Sequence, residues 1–221
     1  FGHMSLSQIS KFKNIIGENI ISKFRKFDNL NCEICPQANF KKKSIKGDRP
    51  NVKTSSPLEV VHMDLWSSPI LSRNGFKYIA TYTDDFTRYS TIYEMKFKSD
   101  QIKKFTLFKK SAENKLDTKI KSIQVDNGGE YISNEFHELC QDYGIEIKYA
   151  PPATPELNGV AERLNQTLTT KVRAMKIQSG VPWKYWVEMI HAANITRNSL
   201  PTQKLNNTTP FIMWNKRHPY Y

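Results

Sequence analysis

The stretch "LEVVHMDLW", residues 58–66, decides the class of fold and raises the first question about function. Its run of apolar residues is typical of a buried β-strand. A carboxylate, Asp64, stands in the middle of that run. A charge inside a buried strand is costly unless it is paired or bound to a metal. The stretch therefore predicts a strand that carries a functional or paired acid.

The segments around this strand predict an α/β domain. The predicted strands lie at 58–66, 77–87, 89–97, 121–126 and 145–149. The predicted helices lie at 99–116, at 133–144, from the 151–155 loop to about 178, and at 182–199. Short turns join the first three strands, which indicates an antiparallel meander, and helices alternate with the later strands. This order predicts a mixed five-stranded sheet with helices on both faces.

Composition points to an anionic partner. The 221 residues include 33 Lys and Arg against 21 Asp and Glu, a net charge of 33 − 21 = +12. Such an excess favours nucleic acid or a membrane surface as partner, and the alternative is a solvated basic surface. No run of 18 apolar residues and no signal-peptide pattern is present, so neither a transmembrane helix nor secretion is predicted.

The N-terminal part differs in character from the rest. Residues 4–28 have helical spacing, and a Cys32-Glu-Ile-Cys35 pair follows. Residues 41–57 are rich in lysine, serine and proline and almost free of apolar residues, which predicts a basic linker. We therefore expect a small segment at 1–40, a linker at 41–57 and the main domain at 58–221. Because no initiator Met is present, we also expect the chain to be a piece of a longer protein.

Three acids indicate a functional site by their positions taken together. Asp64 is in the first strand, Asp126 ends the fourth before Asn-Gly-Gly, and Glu162 lies early in the long helix. At 100° per residue, Glu162 is about 140° from the centre of that helix's apolar stripe, so it cannot be a core residue. The stripe is predicted from Val160, Leu164, Leu168, Val172 and Met175. Each acid alone has an ordinary explanation, either as a turn residue or as a charge that interacts favourably with the helix dipole. For Asp84 and Asp85 we keep the explanation as turn residues.

The blocks "HMDLW", "VDNGGEY" and "ATPELNGVAERLN" resemble the three catalytic blocks of copia-type LTR-retrotransposon integrases, which are parts of Pol polyproteins. Asp126 and Glu162 have 35 residues between them, as in the Asp-Asp-35-Glu signature of integrases. The resemblance implies a ribonuclease H-like fold. It also implies that Asp64, Asp126 and Glu162 hold two Mg²⁺ (or Mn²⁺) ions, for trimming of the element's DNA 3′ ends and strand transfer into target DNA.

The resemblance extends to a zinc-binding segment of the His-His-Cys-Cys type at the N-terminus. His3 resembles the second histidine of that motif, and Cys32 and Cys35 its two cysteines. A structural zinc site needs four protein ligands, and the first histidine is missing from this chain. We expect the full-length protein to bind zinc there, and this chain either to bind it weakly or to complete the site with water. The other four histidines are predicted to be structural or surface residues.

Double-stranded DNA is the partner that the resemblance implies, both as element ends and as target. The residues predicted to contact DNA are Asn158, Arg163, Lys171, Arg173 and Lys176. A homo-oligomer, a host tethering factor and a nuclear site of action after a cytoplasmic particle stage are also implied. Ala153 stands where the family commonly has an aromatic residue or histidine, and Glu156 where glutamine is usual.

Aromatic residues open the last predicted helix. Trp183 and Trp186 recur with Ile190 at helical spacing, so we predict that these tryptophans and Tyr185 are core or subunit-interface residues rather than a base-stacking platform.

Two other functions remain open from the sequence. A ribonuclease H-like nuclease would share the fold and metals, but would need neither the His/Cys segment nor the "NGVAERLN" block. A decayed or domesticated remnant would bind DNA without catalysis, and the presence of all three acids argues against it.

Overall fold

The computed structural model describes residues 54–150 and 159–218, and outside these ranges only Ile34. The strands are β1 Val60–Ser67, β2 Tyr78–Asp84, β3 Ser90–Met95, β4 Ser122–Val125 and β5 Glu146–Tyr149. The helices are α1 Gln101–Leu116, α2 Asn134–Asp142, α3 Gly159–Ser179, α4 Trp186–Asn198 and α5 Pro210–Asn215. None of the helices in these ranges is long and apolar enough to cross a membrane.

The strands form one sheet in the order β3-β2-β1-β4-β5. β1 pairs antiparallel with β2, and β2 with β3, as short connections allow. β4 pairs parallel with β1, and β5 with β4, across the longer connections that contain α1 and α2. The predicted meander and the mixed five-stranded sheet are confirmed.

The two faces of the sheet are covered by different helices because successive side chains of β1 point to opposite sides. Val61 and Met63 join a core cluster with residues of α1 and α2. Trp66 packs against the other cluster, which contains residues of α3 and α4 such as Leu168 and Trp186. Helices on both faces are therefore confirmed, and Asp64, which has the same parity as Trp66, belongs to the α3 side.

The structure confirms one of three predicted helix starts and contradicts the other two. The side-chain oxygen of Ser133 accepts a hydrogen bond from the backbone N–H of Phe136, so it caps α2 as its position predicts. Ser99, predicted to cap α1, lies instead inside a 3₁₀ turn, Lys98–Asp100. Pro182, predicted as the first residue of the last long helix, precedes another 3₁₀ turn, Trp183–Tyr185, and α4 begins only at Trp186.

Helix α5 was not predicted from the sequence. It is only six residues long, too short to show a periodic pattern. Its Trp214 is buried and stacks on Tyr89, with ring centroids 4.9 Å apart. The helix is held by this packing and by the Thr209 cap, whose oxygen accepts the N–H of Ile212.

Candidate active site

Asp64 is tied to two elements through its two carboxylate oxygens. Oδ1 accepts the backbone N–H of Leu65 at 2.8 Å. Oδ2 accepts the side-chain amide of Asn165, on α3, at 2.7 Å. The second bond joins β1 to α3 across 101 residues of sequence and sets the orientation of the carboxylate. No cationic side chain pairs with Asp64 in the part of the chain that the structure describes.

The pKa of Asp64 is raised from its ordinary value of 3.8 to about 6. Burial is the largest cause, because a desolvated carboxylate disfavours its charge. The negative charges of Asp126 and Glu162 raise the pKa further, while the hydrogen bonds from Leu65 and Asn165 oppose the rise. Asp126 and Glu162 are therefore both close enough to Asp64 for their charges to act on it.

Asp126 follows directly on β4, next to β1. In the parallel register, His62 lies opposite Gln124, so continuing by two residues sets Asp126 beside Asp64. The backbone N–H of Gly128 donates to Oδ1 of Asp126 at 3.0 Å. A Cβ at position 128 would lie 3.0 Å from that same oxygen and 3.0 Å from the Glu130 carboxylate. The glycine therefore lets the loop fold closely around the Asp126 carboxylate.

Glu162 lies in the first described turn of α3 and is exposed, as its angle from the apolar stripe predicts. The stripe itself is shifted slightly from the predicted one. Leu164, Leu168 and Val172 are buried as expected, but Ala161 and Ala174 are buried in place of Val160 and Met175, which are half-buried. Leu164, Leu168 and Val172 pack α3 against the sheet, and Asn165, on the same helix, reaches Asp64.

The three acids do not form a closed metal cage. Within residues 54–150 and 159–218, no group of three or more His, Cys, Asp or Glu side chains is close enough to hold a metal ion. The structure thus sets Asp64 on β1 and Asp126 directly after the adjacent β4, with Glu162 on the facing helix and within electrostatic range of Asp64. The 151–158 loop before Glu162, which contains Ala153, Glu156 and the predicted DNA-contact residue Asn158, lies outside the described residues.

Two residues of this site were not predicted from the sequence. Asn165 is three positions after Glu162, so helical spacing places both toward the same side of α3, and this was the available signal. Glu130 is largely buried near Asp126, and one of its oxygens is 3.3 Å from the ammonium group of Lys98. Its proximity depends on the fold of the Gly-Gly loop, which no periodic pattern reports.

A second acidic group lies at the other end of the same strands. Asp85 accepts from Nε2 of His62 at 2.9 Å and pairs with Arg88 at 3.0 Å. Asp84 accepts the backbone N–H groups of Leu58 at 2.8 Å and Thr87 at 2.7 Å. These bonds tie the β2–β3 turn to the start of β1. They confirm the turn assignment of the two aspartates and the structural role predicted for His62.

The predicted DNA-contact residues on α3 have different degrees of exposure. Arg163 and Arg173 are exposed, whereas Lys171 and Lys176 are half-buried. Arg173 also lines a pocket of about 290 Å³ between the end of β1, α3 and the start of α4. The predicted zinc ligands His3, Cys32 and Cys35 lie outside the described residues.

Known proteins are similar to this chain in sequence and in fold. Residues 54–155 match the family described as "Integrase core domain". The chain is 34% identical over 194 residues to the retrovirus-related Pol polyprotein from transposon RE2 of Arabidopsis thaliana. It is 31% identical over 210 residues to that from transposon RE1 of the same plant. With that from transposon TNT 1-94 of Nicotiana tabacum, it is 34% identical over 182 residues. These matches confirm the resemblance to copia-type Pol polyproteins.

The matches cover 87%, 95% and 80% of this chain but only 13%, 14% and 14% of those polyproteins. The chain thus spans about one seventh of their length. One similar solved structure is the simian T-cell lymphotropic virus intasome in complex with a PP2A regulatory subunit. Its TM-score is 0.61 at 19% sequence identity, and the match covers 86% of this chain and 66% of the chain in that structure. The HTLV-2 integrase catalytic core, in complex with magnesium, has a TM-score of 0.53 at 19% identity, over 72% of this chain and 97% of its own. These likenesses establish the integrase-core, ribonuclease H-like fold.

Proposed function

We propose that this chain, which belongs to the integrase core domain family of transposon Pol polyproteins, carries out the DNA-joining chemistry of a retrotransposon integrase. In this proposal it trims the 3′ ends of the element's DNA and transfers them into target DNA. The observation that carries the proposal is the state of Asp64. Its carboxylate is half-buried and oriented by Asn165, and its pKa is raised by desolvation and by Asp126 and Glu162.

The three acids have the chemistry of ligands for a hard divalent cation, and to share one they would have to lie closer together than they do in the described residues. Asp64, Asp126 and Glu162 would hold Mg²⁺ or Mn²⁺, two ions in all, because such ions prefer carboxylate oxygens and keep waters and substrate phosphates as their other ligands. The raised pKa of Asp64 marks negative charge that a cation would relieve. The magnesium in the HTLV-2 core, a protein of the same fold, supports the choice of metal. When bound, the ions would activate a water or 3′-hydroxyl and stabilise the leaving oxygen.

The chain's own residues prepare this site. Asn165 holds Asp64 through Oδ2, and the N–H of Gly128 holds Asp126 through Oδ1, so each carboxylate is oriented before substrate arrives. Asp64 has to lose its proton before it can act as a ligand, so metal affinity should fall below about pH 6. The exposed face of Glu162 leaves room for DNA, and the net charge of +12 favours its approach.

The wider assembly is part of the same proposal. Arg163, Lys171, Arg173 and Lys176 would contact the DNA backbone, with Asn158 near the metals. The protein would act in the nucleus as a homo-oligomer, after a cytoplasmic particle stage and with a host tethering factor where one exists. In the full-length protein, His3, Cys32 and Cys35 would hold Zn²⁺ together with a further ligand.

A joining assay tests the proposal. The chain is incubated with a labelled duplex that carries the terminal sequence of its element, a supercoiled target plasmid and Mg²⁺ or Mn²⁺. We expect labelled DNA to become covalently joined to the plasmid, and Glu162→Gln to abolish the product. Titration calorimetry with Mg²⁺ alone should show weaker binding by the same variant.

The alternatives have distinct outcomes in this assay. Cleavage of RNA–DNA hybrids without joining would identify a ribonuclease H-like nuclease. DNA binding without any metal-dependent product would identify a remnant. Joining that persists at the wild-type rate in Glu162→Gln would remove that residue from the proposed chemistry.

A further inference from the structure

We infer that the pocket between the end of β1, α3 and the start of α4 binds the base of an unpaired nucleotide of the DNA held at the active site. The inference rests on the proposed function and names a subsite for it. The pocket has a volume of about 290 Å³, and its walls include Trp66, Trp183 and Arg173. This is near the lower end of the range for small-molecule sites, so one planar group fits and a duplex does not.

The position of the pocket follows from the two elements that carry the acids. Trp66 lies two residues after Asp64 on β1, so its side chain leaves the sheet on the same face. Thr169 and Arg173 follow Glu162 by seven and eleven residues on α3. At 100° per residue, both fall within about 20° of Glu162. The pocket thus continues the acidic face along the helix.

The distance along α3 suits a DNA strand. At 1.5 Å per residue, Thr169 and Arg173 lie about 10 and 16 Å along the axis from Glu162. This corresponds to roughly three to five base steps at 3.4 Å each. A strand whose reacting phosphate is at the acids would therefore present a nearby nucleotide to the pocket.

The chemistry of the walls suits a base joined to a phosphate. Trp66 and Trp183 line the pocket, and any base can stack on an aromatic ring. No Asp or Glu is among the described residues that line the pocket, and Arg173 supplies a cation for phosphate. An isolated apolar ligand would gain nothing from that guanidinium.

Trp186, at the start of α4, and Trp183, in the 3₁₀ turn before it, differ in their indole hydrogen bonds, and this difference also points to a ligand. The indole N–H of Trp186 donates to the carbonyl of Ile70 at 3.0 Å, and this residue is fully buried core. The indole nitrogen of Trp183 is buried but has no hydrogen-bond partner among the described residues. A buried indole N–H normally has an acceptor. A small rotation of the half-buried Trp183 ring would offer this donor to a base carbonyl or ring nitrogen.

An unpaired nucleotide is also what the proposed chemistry produces. Trimming of a 3′ end leaves the last nucleotides of the complementary strand without partners. Their bases have exposed faces and free hydrogen-bonding edges, and both would be satisfied in the pocket.

Binding to two duplexes tests the inference. One labelled duplex is blunt, and the other is identical but carries a short 5′ thymidine overhang. Fluorescence anisotropy with the whole chain should show about tenfold tighter binding of the overhang duplex, as expected for stacking of one base. Trp183→Leu and Arg173→Gln should each remove most of this preference. Trp183→Phe, which keeps a ring but no N–H, should retain part of it.

Lys103→Gln is the matched control for charge. Lys103 is exposed on α1, which packs on the opposite face of the sheet. Its removal should weaken binding of both duplexes equally and leave the preference unchanged. Because Arg173 is exposed on α3, its replacement should not unfold the protein. Circular dichroism of each variant checks this.

A cross-link locates the base directly. With 5-iododeoxyuridine in the overhang, irradiation should attach it to the peptides that contain Trp66 or Trp183. Equal binding of both duplexes by the wild-type chain, an unchanged preference in both Arg173→Gln and Trp183→Leu, or cross-links only elsewhere would each overturn the inference. Metal-dependent joining that persists alongside any of these results would leave the proposed function intact, whereas loss of all DNA binding would reject both.

Discussion

Two groups of acids at opposite ends of β1 and β2 differ in what neutralises them. Asp84 and Asp85 are enclosed by donors, with backbone N–H groups, Arg88 and His62 around them. Asp64 is half-buried, an amide and one backbone N–H are its only hydrogen-bond donors among the described residues, and the charges of Asp126 and Glu162 act on it. The same residue type thus stabilises the fold at one end and holds unrelieved charge at the other.

The pKa values express this difference. Burial alone would raise the pKa of Asp85, but the hydrogen bond from His62 and the charge of Arg88 lower it. At Asp64, burial and neighbouring acids prevail and the pKa rises to about 6. Burial also raises the pKa of Asp84, which has no cationic partner among the described residues but accepts hydrogen bonds from Leu58 and Thr87. A raised pKa alone therefore does not mark a functional acid, and the difference between the two ends lies in the donors and cations around each carboxylate.

The largest expected effect sharpens the functional side of the contrast. Glu162→Gln should reduce strand joining by about 10³-fold or more, because it removes a charged ligand from the proposed metal site. Glu188→Gln is its control, since Glu188 is an exposed acid in the first turn of α4. Gel analysis of joined products measures both. A comparable loss in the control would attribute the effect to helix-dipole or surface charge.

The next effect tests the structural side. Asp84→Ala should lower the free energy of unfolding by about 3 kcal/mol, because the N–H groups of Leu58 and Thr87 lose their buried acceptor. Asp64→Asn should leave metal-free stability unchanged or increase it, since it removes a repelled carboxylate. Urea unfolding in a chelator measures the two variants. The contrast fails if Asp64→Asn is the more destabilising change.

The pH dependence of unfolding stability should distinguish Asp64 from Asp85. Because the folded pKa of Asp64 is raised, ionisation of this group costs stability as pH rises from about 4 to about 6, by at most about 3 kcal/mol without metal. Asp85 has a lowered pKa, so its contribution is present above its unfolded pKa and is lost as pH falls through the folded value. The stability advantage of Asp64→Asn over wild type should therefore grow between about pH 4 and 6. An advantage that is constant across this range would contradict the raised pKa.

The smallest effect concerns the orientation of Asp126. In Gly128→Ala, the new Cβ would press on the Asp126 and Glu130 carboxylates at 3.0 Å and displace them, so joining should fall by about tenfold. Gly129→Ala is the control, because a Cβ there meets nothing within 4 Å. Joining rates and unfolding curves should be collected for both. Equal activity of the two variants would show that the close approach at Gly128 has no role in the site.

Sequence periodicity was sufficient for much of the fold. The order of strands and helices, the meander and the exposure of Glu162 could all be predicted, because they depend on local residue spacing. The 3₁₀ turns before α1 and α4 could not, since residue spacing does not distinguish a 3₁₀ turn at a helix start from a first α-helical turn. Asn165 and Glu130 were missed for a related reason. Their roles depend on neighbours that are remote in sequence or set by an irregular loop.

By itself, the sequence determined the alternation of apolar residues, the positions of Asp64, Asp126 and Glu162 along the chain, and the excess of positive charge. Those features follow from residue order and composition alone. Only the tertiary structure decided which acids have cationic partners and which have only neutral hydrogen-bond donors. The pairing of β1 with β2 brings His62 to Asp85, and the packing of α3 on β1 brings Asn165, rather than a cation, to Asp64. Desolvation and charge act over a few ångströms in space, so only the folded chain assigns the two groups of acids their different roles.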